Sequence, residues 1–155
     1  MVVNRTILSK LIGMMSFILL LSSSQILADD SPIYLGFFSD KAVSGYDTVA
    51  YFTENKPVKG NKKYTFKYME AIWYFTSQDN LDMFKANPTK YTPQYGGYCA
   101  WSVSQGYNAS GDPEQWTIVN DKLYLNYDLE IKERWLKKRD SLITDADKNW
   151  PGVLK

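Results

Sequence analysis

One thiol, one acid set in an apolar run and a dense population of aromatic rings are the groups in this chain with chemistry to offer. Cys99 is the single cysteine and follows Gly96-Gly97-Tyr98 directly. It reads either as a small apolar side chain buried in a strand, or as a reactive or metal-contacting thiol acting alone or across a dimer. A thiol is activated by a neighbouring cation or a helix amino terminus. No cation adjoins Cys99 in sequence, so the buried reading leads. Asp47 interrupts the apolar segment Tyr46–Phe52 (YDTVAYF). A buried carboxylate is costly without partners, so Asp47 either accepts hydrogen bonds from turn amides or faces a pocket with Cys99 or Tyr98. The turn-holding reading leads. Tyr46, Tyr95, Tyr98 and Trp101 lie beside these two residues in the chain and complete the candidate ligand-binding set. Rings with polar tips wall small-molecule and haem-like pockets, although a domain without disulfides also uses many rings as core.

Histidine is absent. That removes the commonest general base, the commonest metal ligand and the base partner of a serine or cysteine nucleophile. Cys99 with Met69 and Met83 makes a poor cage for a soft metal, so Cys99 is a weak metal candidate and no cofactor is firmly implied. Phosphate-binding loops, nucleophile elbows and paired carboxylates at a persuasive spacing are not seen. Asn126 and Tyr127, at an expected strand-to-helix junction, read as capping residues. The residues therefore favour binding over catalysis.

The elements that position these groups begin with a leader. Arg5 and Lys10 precede the apolar run Leu11–Leu21, and Ala28 stands just before Asp29-Asp30, the pattern of a secretory signal peptide cut after about residue 28. A membrane span needs roughly 20 consecutive apolar residues, more than this run supplies. The expected product is one domain, residues 29–155, periplasmic or secreted, with no stable membrane span. The whole chain has 18 basic and 17 acidic residues. Losing Arg5 and Lys10 leaves the product close to neutral, with nothing to recruit nucleic acid.

Within the product, Tyr46–Phe52 reads as a buried strand. Tyr64, Phe66 and Tyr68 alternate with polar residues and pair with Ile72–Phe75 as a hairpin. Ser77 caps a helix that Asn87-Pro88 stops. Tyr98–Ser104 reads as a strand, and Trp116–Val119 with Lys122–Tyr127 as a second hairpin about Asn120-Asp121. Helices follow over Asp128–Arg139 and Ser141–Lys148. The expected fold is α+β: a small, mostly antiparallel sheet with one central helix and one or two carboxy-terminal helices. No internal repeat is apparent.

Several of these segments resemble a known family. Trp73-Tyr74-Phe75-Thr76-Ser77, Phe84-Lys85-Ala86-Asn87-Pro88 and Lys90-Tyr91, within a stretch from Gly45 to about Trp101, resemble the YHS domain. Gly45–Phe52, Tyr95–Ala100 and Leu123–Tyr127 are similar to blocks of exported, single-domain bacterial members. The resemblance implies an association with metal or redox processes in the envelope. Metal-binding members carry cysteines at positions matching Thr76 and Asn80 here, so that role does not carry over through these residues. Three functions follow as expectations: an exported binding module for an unknown small ligand, metal ion or envelope protein, a thiol-dependent redox or metal-relay protein acting through Cys99, and a structural partner of an envelope complex.

Overall fold

The structure, a computed structural model, describes residues 30–36 and 38–155; the expected leader lies outside them. The fold is α+β, but its strands form two separate antiparallel hairpins instead of one sheet. In chain order the elements are α1 (Ala50–Thr53), β1 (Asn61–Tyr68), β2 (Ala71–Phe75), α2 (Gln78–Ala86), α3 (Pro88–Tyr91), α4 (Ala100–Ser104), β3 (Asp112–Val119), β4 (Lys122–Asn126), α5 (Leu129–Lys137) and α6 (Arg139–Asn149). Among the described residues, no helix is long and apolar enough to cross a membrane.

The hairpins form where alternation predicts them. Along β2, Ala71, Trp73 and Phe75 are buried while Ile72 and Tyr74 are half-exposed, the period of a pleated strand. Both hairpins close through two-residue turns with positive φ at both positions, Met69-Glu70 and Asn120-Asp121. This geometry matches the right-handed twist of the flanking strands. Ser77 accepts a hydrogen bond from the Asn80 amide and caps α2, and Asp128 accepts from the Ile131 amide and caps α5.

The two segments expected as strands at Tyr46–Phe52 and Tyr98–Ser104 are instead short extended entries, each preceded by a left-handed turn, that lead into the short helices α1 and α4. Periodicity cannot separate a short apolar strand from a buried helical turn. Here local hydrogen bonds decide. Asp47 accepts from the Val49 and Ala50 amides, and the Cys99 carbonyl accepts from the Val103 amide and the Ser102 hydroxyl.

These two segments also expose a repeat. The β1–β2 pairs Phe66↔Trp73, Lys67↔Ile72 and Tyr68↔Ala71 recur 51 residues later as Thr117↔Tyr124, Ile118↔Leu123 and Val119↔Lys122. The register break recurs with them, between Asn61 and Thr65 and between Asp112 and Trp116. Upstream, Val43-Ser44-Gly45 and Tyr95-Gly96-Gly97 all have positive φ, and Tyr46 and Tyr98 each donate back to the first carbonyl of their turn. The Asp47 amide bonds to the Val58 carbonyl as the Cys99 amide bonds to the Ala109 carbonyl. Seven residues beyond each helix cap stands a fully buried ring, Phe84 in one unit and Trp135 in the other. The domain is thus two successive copies of one turn–hairpin–helix unit, unit 1 from Ala42 and unit 2 from Gln94.

Each unit seats its helix ring on its hairpin. Phe84 packs on Trp73 and Phe75, with centroids 4.9 and 5.0 Å away, and Trp135 lies 5.3 Å from Tyr124. The units are joined by the Tyr51 hydroxyl, which donates to the Pro113 carbonyl, and by the edge of Tyr51 against Trp116. Gly96 fastens the amino-terminal segment to this assembly. Its carbonyl accepts the Tyr34 amide, and a Cβ there would lie 1.8 Å from the Pro32 carbonyl oxygen at a φ of +63°. Gly96→Ala is therefore expected to detach residues 30–36. The left-handed backbone alone adds about 1–2 kcal/mol. Hydrogen exchange at the Tyr34 amide checks this: the variant should lose protection there while the β1–β2 amides keep theirs.

Candidate functional site

The sequence-predicted residues do not converge on one cavity. Asp47 is fully buried, and five hydrogen bonds occupy its carboxylate. One oxygen takes the Val49 and Ala50 amides at 2.9 and 3.3 Å. The other takes the Thr76 amide at 2.8 Å, the Thr76 hydroxyl at 2.8 Å and the Asn80 carboxamide at 2.7 Å. The carboxylate therefore ties the start of α1 to the end of β2 and the first turn of α2. No ion pair among the described residues involves it. Donors alone carry the charge, as hydrogen-bonded buried carboxylates allow.

Tyr46 lies on the outer side of unit 1. Its hydroxyl donates to Glu114 at 2.6 Å, and Lys59 sits 3.8 Å over its ring. The bond to Glu114, with burial adding to it, pushes the phenol up to about 12. Tyr98 donates to the Ser31 carbonyl at 2.8 Å, and burial, then the charge of Asp30, pushes it up to about 12. Tyr95 donates to Asp147 at 2.8 Å. Burial and that bond raise its phenol well above the ordinary value. Tyr95 also borders a cleft of about 240 Å³ shared with Pro32, Pro93 and Trp150, but its hydroxyl is committed to α6.

Cys99 and Trp101 do share a cavity. It measures about 230 Å³ and is lined by Cys99, Trp101, Ser102, Tyr107, Ala109, Tyr127 and Ile131. The Trp101 and Tyr107 rings meet edge to face at 6.4 Å. Cys99 is 1% exposed, and its thiol donates to the Asn126 carboxamide oxygen at 3.8 Å. That oxygen also accepts the Trp101 amide at 3.2 Å. Because an amide N–H needs an acceptor, this second bond sets which way the Asn126 carboxamide faces. Its nitrogen is buried and has no hydrogen-bond partner among the described residues. Asn126 therefore organises Cys99 and Trp101 and does not cap a helix; Asp128 does that.

The repeat explains why the cavity lies here. Counting from the aligned turns and caps, Asp47, Thr76 and Asn80 of unit 1 correspond to Cys99, Tyr127 and Ile131 of unit 2. In unit 1 the three side chains hydrogen-bond to one another. In unit 2 a thiol, a phenol ring and an aliphatic chain stand at the same stations, and all three line the cavity. Sequence reasoning missed Tyr127, Ile131, Ser102, Tyr107 and Ala109. The signal that would have found two of them is the distance from each helix cap, equal in both units.

Residues 49–95 match the YHS domain. That stretch runs from the entry to α1 through α3 and ends in the turn that opens unit 2. The YHS match therefore covers most of unit 1, and the cavity lies beyond it in the second copy. No curated protein and no solved structure matches the chain. The metal association of YHS domains can be tested on unit 1 directly. Thr76 and Asn80 both donate to Asp47, and the Thr76 hydroxyl also accepts from the Asn80 carboxamide. Among the described residues, no group of three or more His, Cys, Asp or Glu side chains could hold a metal ion.

Proposed function

We propose that this protein is an exported, non-enzymatic binding module that holds a small organic molecule in the cavity of unit 2. The observation carrying this reading is the contrast between the copies: the unit 1 stations are filled by the Asp47 network, and the same stations in unit 2 wall a cavity. Export rests on the leader formed by Arg5, Lys10, Leu11–Leu21 and Ala28. The thiol-redox alternative has less support. The chain has no second cysteine to form a disulfide within it, and among the described residues no Lys or Arg lines the cavity to favour a thiolate.

Native mass spectrometry of protein recovered from the envelope fraction tests the reading. The expected spectrum shows an organic adduct, one per chain, without an equivalent of metal. Ala109→Leu, which fills the cavity, should remove the adduct. Absence of any adduct, an adduct indifferent to Ala109→Leu, or a full equivalent of tightly held metal would overturn the proposal.

A further inference from the structure

The walls of the unit 2 cavity define the class of its occupant. None of its lining residues is Asp, Glu, Lys or Arg, so a charged ligand would lose its hydration without gaining a counter-charge. The polar atoms at its floor are already committed. The Ser102 hydroxyl donates to the Cys99 carbonyl at 2.8 Å, and the Cys99 thiol donates to Asn126. The other large lining side chains are the rings of Trp101, Tyr107 and Tyr127 and the aliphatic Ile131. Rings pair favourably with other rings and with sulfur. At about 230 Å³ the cavity falls below the roughly 300–1,000 Å³ of drug-sized sites, which limits the occupant to one or two fused rings.

We propose that this cavity is a receptor for a neutral, planar aromatic molecule of one or two rings, enclosed by Trp101, Tyr107 and Tyr127 over the Cys99 sulfur. This rests on the binding-module reading and names its ligand class. Tyr107 and Tyr127 are each about half exposed, at 49% and 55%, and form the rim through which the ligand enters. Cys99 and Ala109 form the floor. The hydrogen bond between the Cys99 amide and the Ala109 carbonyl holds these two together.

Equilibrium dialysis of the purified protein against naphthalene and against 2-naphthoate tests the class. The two probes share a ring system and differ by a carboxylate. Naphthalene should bind at one per chain and at least about tenfold more tightly, the ratio set by stripping water from an unpaired charge. Naphthalene should also slow N-ethylmaleimide labelling of Cys99. Ala109→Leu should abolish saturable binding. Tyr107→Ala, at an exposed position where folding is not at stake, should weaken it by about tenfold, the loss of one ring pair. Equal or tighter binding of 2-naphthoate, no saturable naphthalene binding, or wild-type binding in both variants overturns the proposal. If naphthalene fails while an organic adduct is still removed by Ala109→Leu, only the ligand class falls. If the adduct ignores Ala109→Leu, the binding-module reading falls with it.

Discussion

Asp47→Ala is expected to destabilise the fold by about 3–5 kcal/mol, the range for removing one member of a buried charged network. The substitution deletes an acceptor and strands donors. The Thr76 amide and hydroxyl, the Asn80 carboxamide and the Val49 amide all point at the vacated space. The Ala50 amide keeps a second acceptor, the Asp47 backbone carbonyl at 3.2 Å, and the Asn80 carboxamide keeps the Thr76 hydroxyl at 3.1 Å. Asp47→Asn should cost less. It keeps an oxygen for the α1 amides but sets its own N–H₂ against the donors of Thr76 and Asn80. The internal control is the matching station of unit 2. Cys99→Ala removes one long thiol hydrogen bond and should cost about 1 kcal/mol. Urea titrations with unchanged slope give the comparison. An Asp47→Ala loss no larger than that of Cys99→Ala would show that α1, β2 and α2 are held together by something other than this carboxylate.

That contrast marks how far the sequence could be read. Both hairpins were legible because Phe66, Trp73 and Tyr124 fall on a period of two, and α2 and α5 because Ser77 and Asp128 precede helical spacing. The left-handed turn of unit 1 was not legible, since Val43 and Ser44 occupy positive φ without the glycines that announce such backbone. A β-branched residue there is unusual and is tolerated because Val43 is buried against the core. Gly45 and Gly97, like Gly60 and Gly111, do recur between the copies. The repeat was nevertheless hidden, because its register is carried by backbone bonds while the side chains diverged: Phe75 is matched by Asn126, and Asn80 by Ile131. Asp47 was readable as a turn-holder because burying a carboxylate demands donors nearby. The cavity was not readable. Its walls come from α4, the 107–109 loop and the start of α5, segments that only the folded chain brings together.

Stability should fall steeply above pH 10, and the cause lies in tyrosines whose phenols the fold raises. Tyr46 and Tyr98 are pushed up to about 12, and Tyr51, Tyr95 and Tyr124 are raised as well, four of the five chiefly by burial and Tyr46 chiefly by its bond to Glu114. In the unfolded chain these phenols ionise near the ordinary value of 10.0. Below that pH both states hold the proton and stability does not depend on it. Above it the unfolded chain releases protons that the fold retains, so unfolding gains free energy with each further step. Each such tyrosine contributes at most about 1.4 kcal/mol per pH unit, and half-buried Tyr46 contributes less through screening. Several acting together exceed the margin of a typical domain before pH 12. Circular dichroism and phenolate absorbance followed on one titration check this. The expected result is a cooperative loss of structure that coincides with a group of phenols ionising together. Phenols that titrate one by one near 10 in a chain that stays folded would mean that Tyr51 and Tyr95 are not sealed from water.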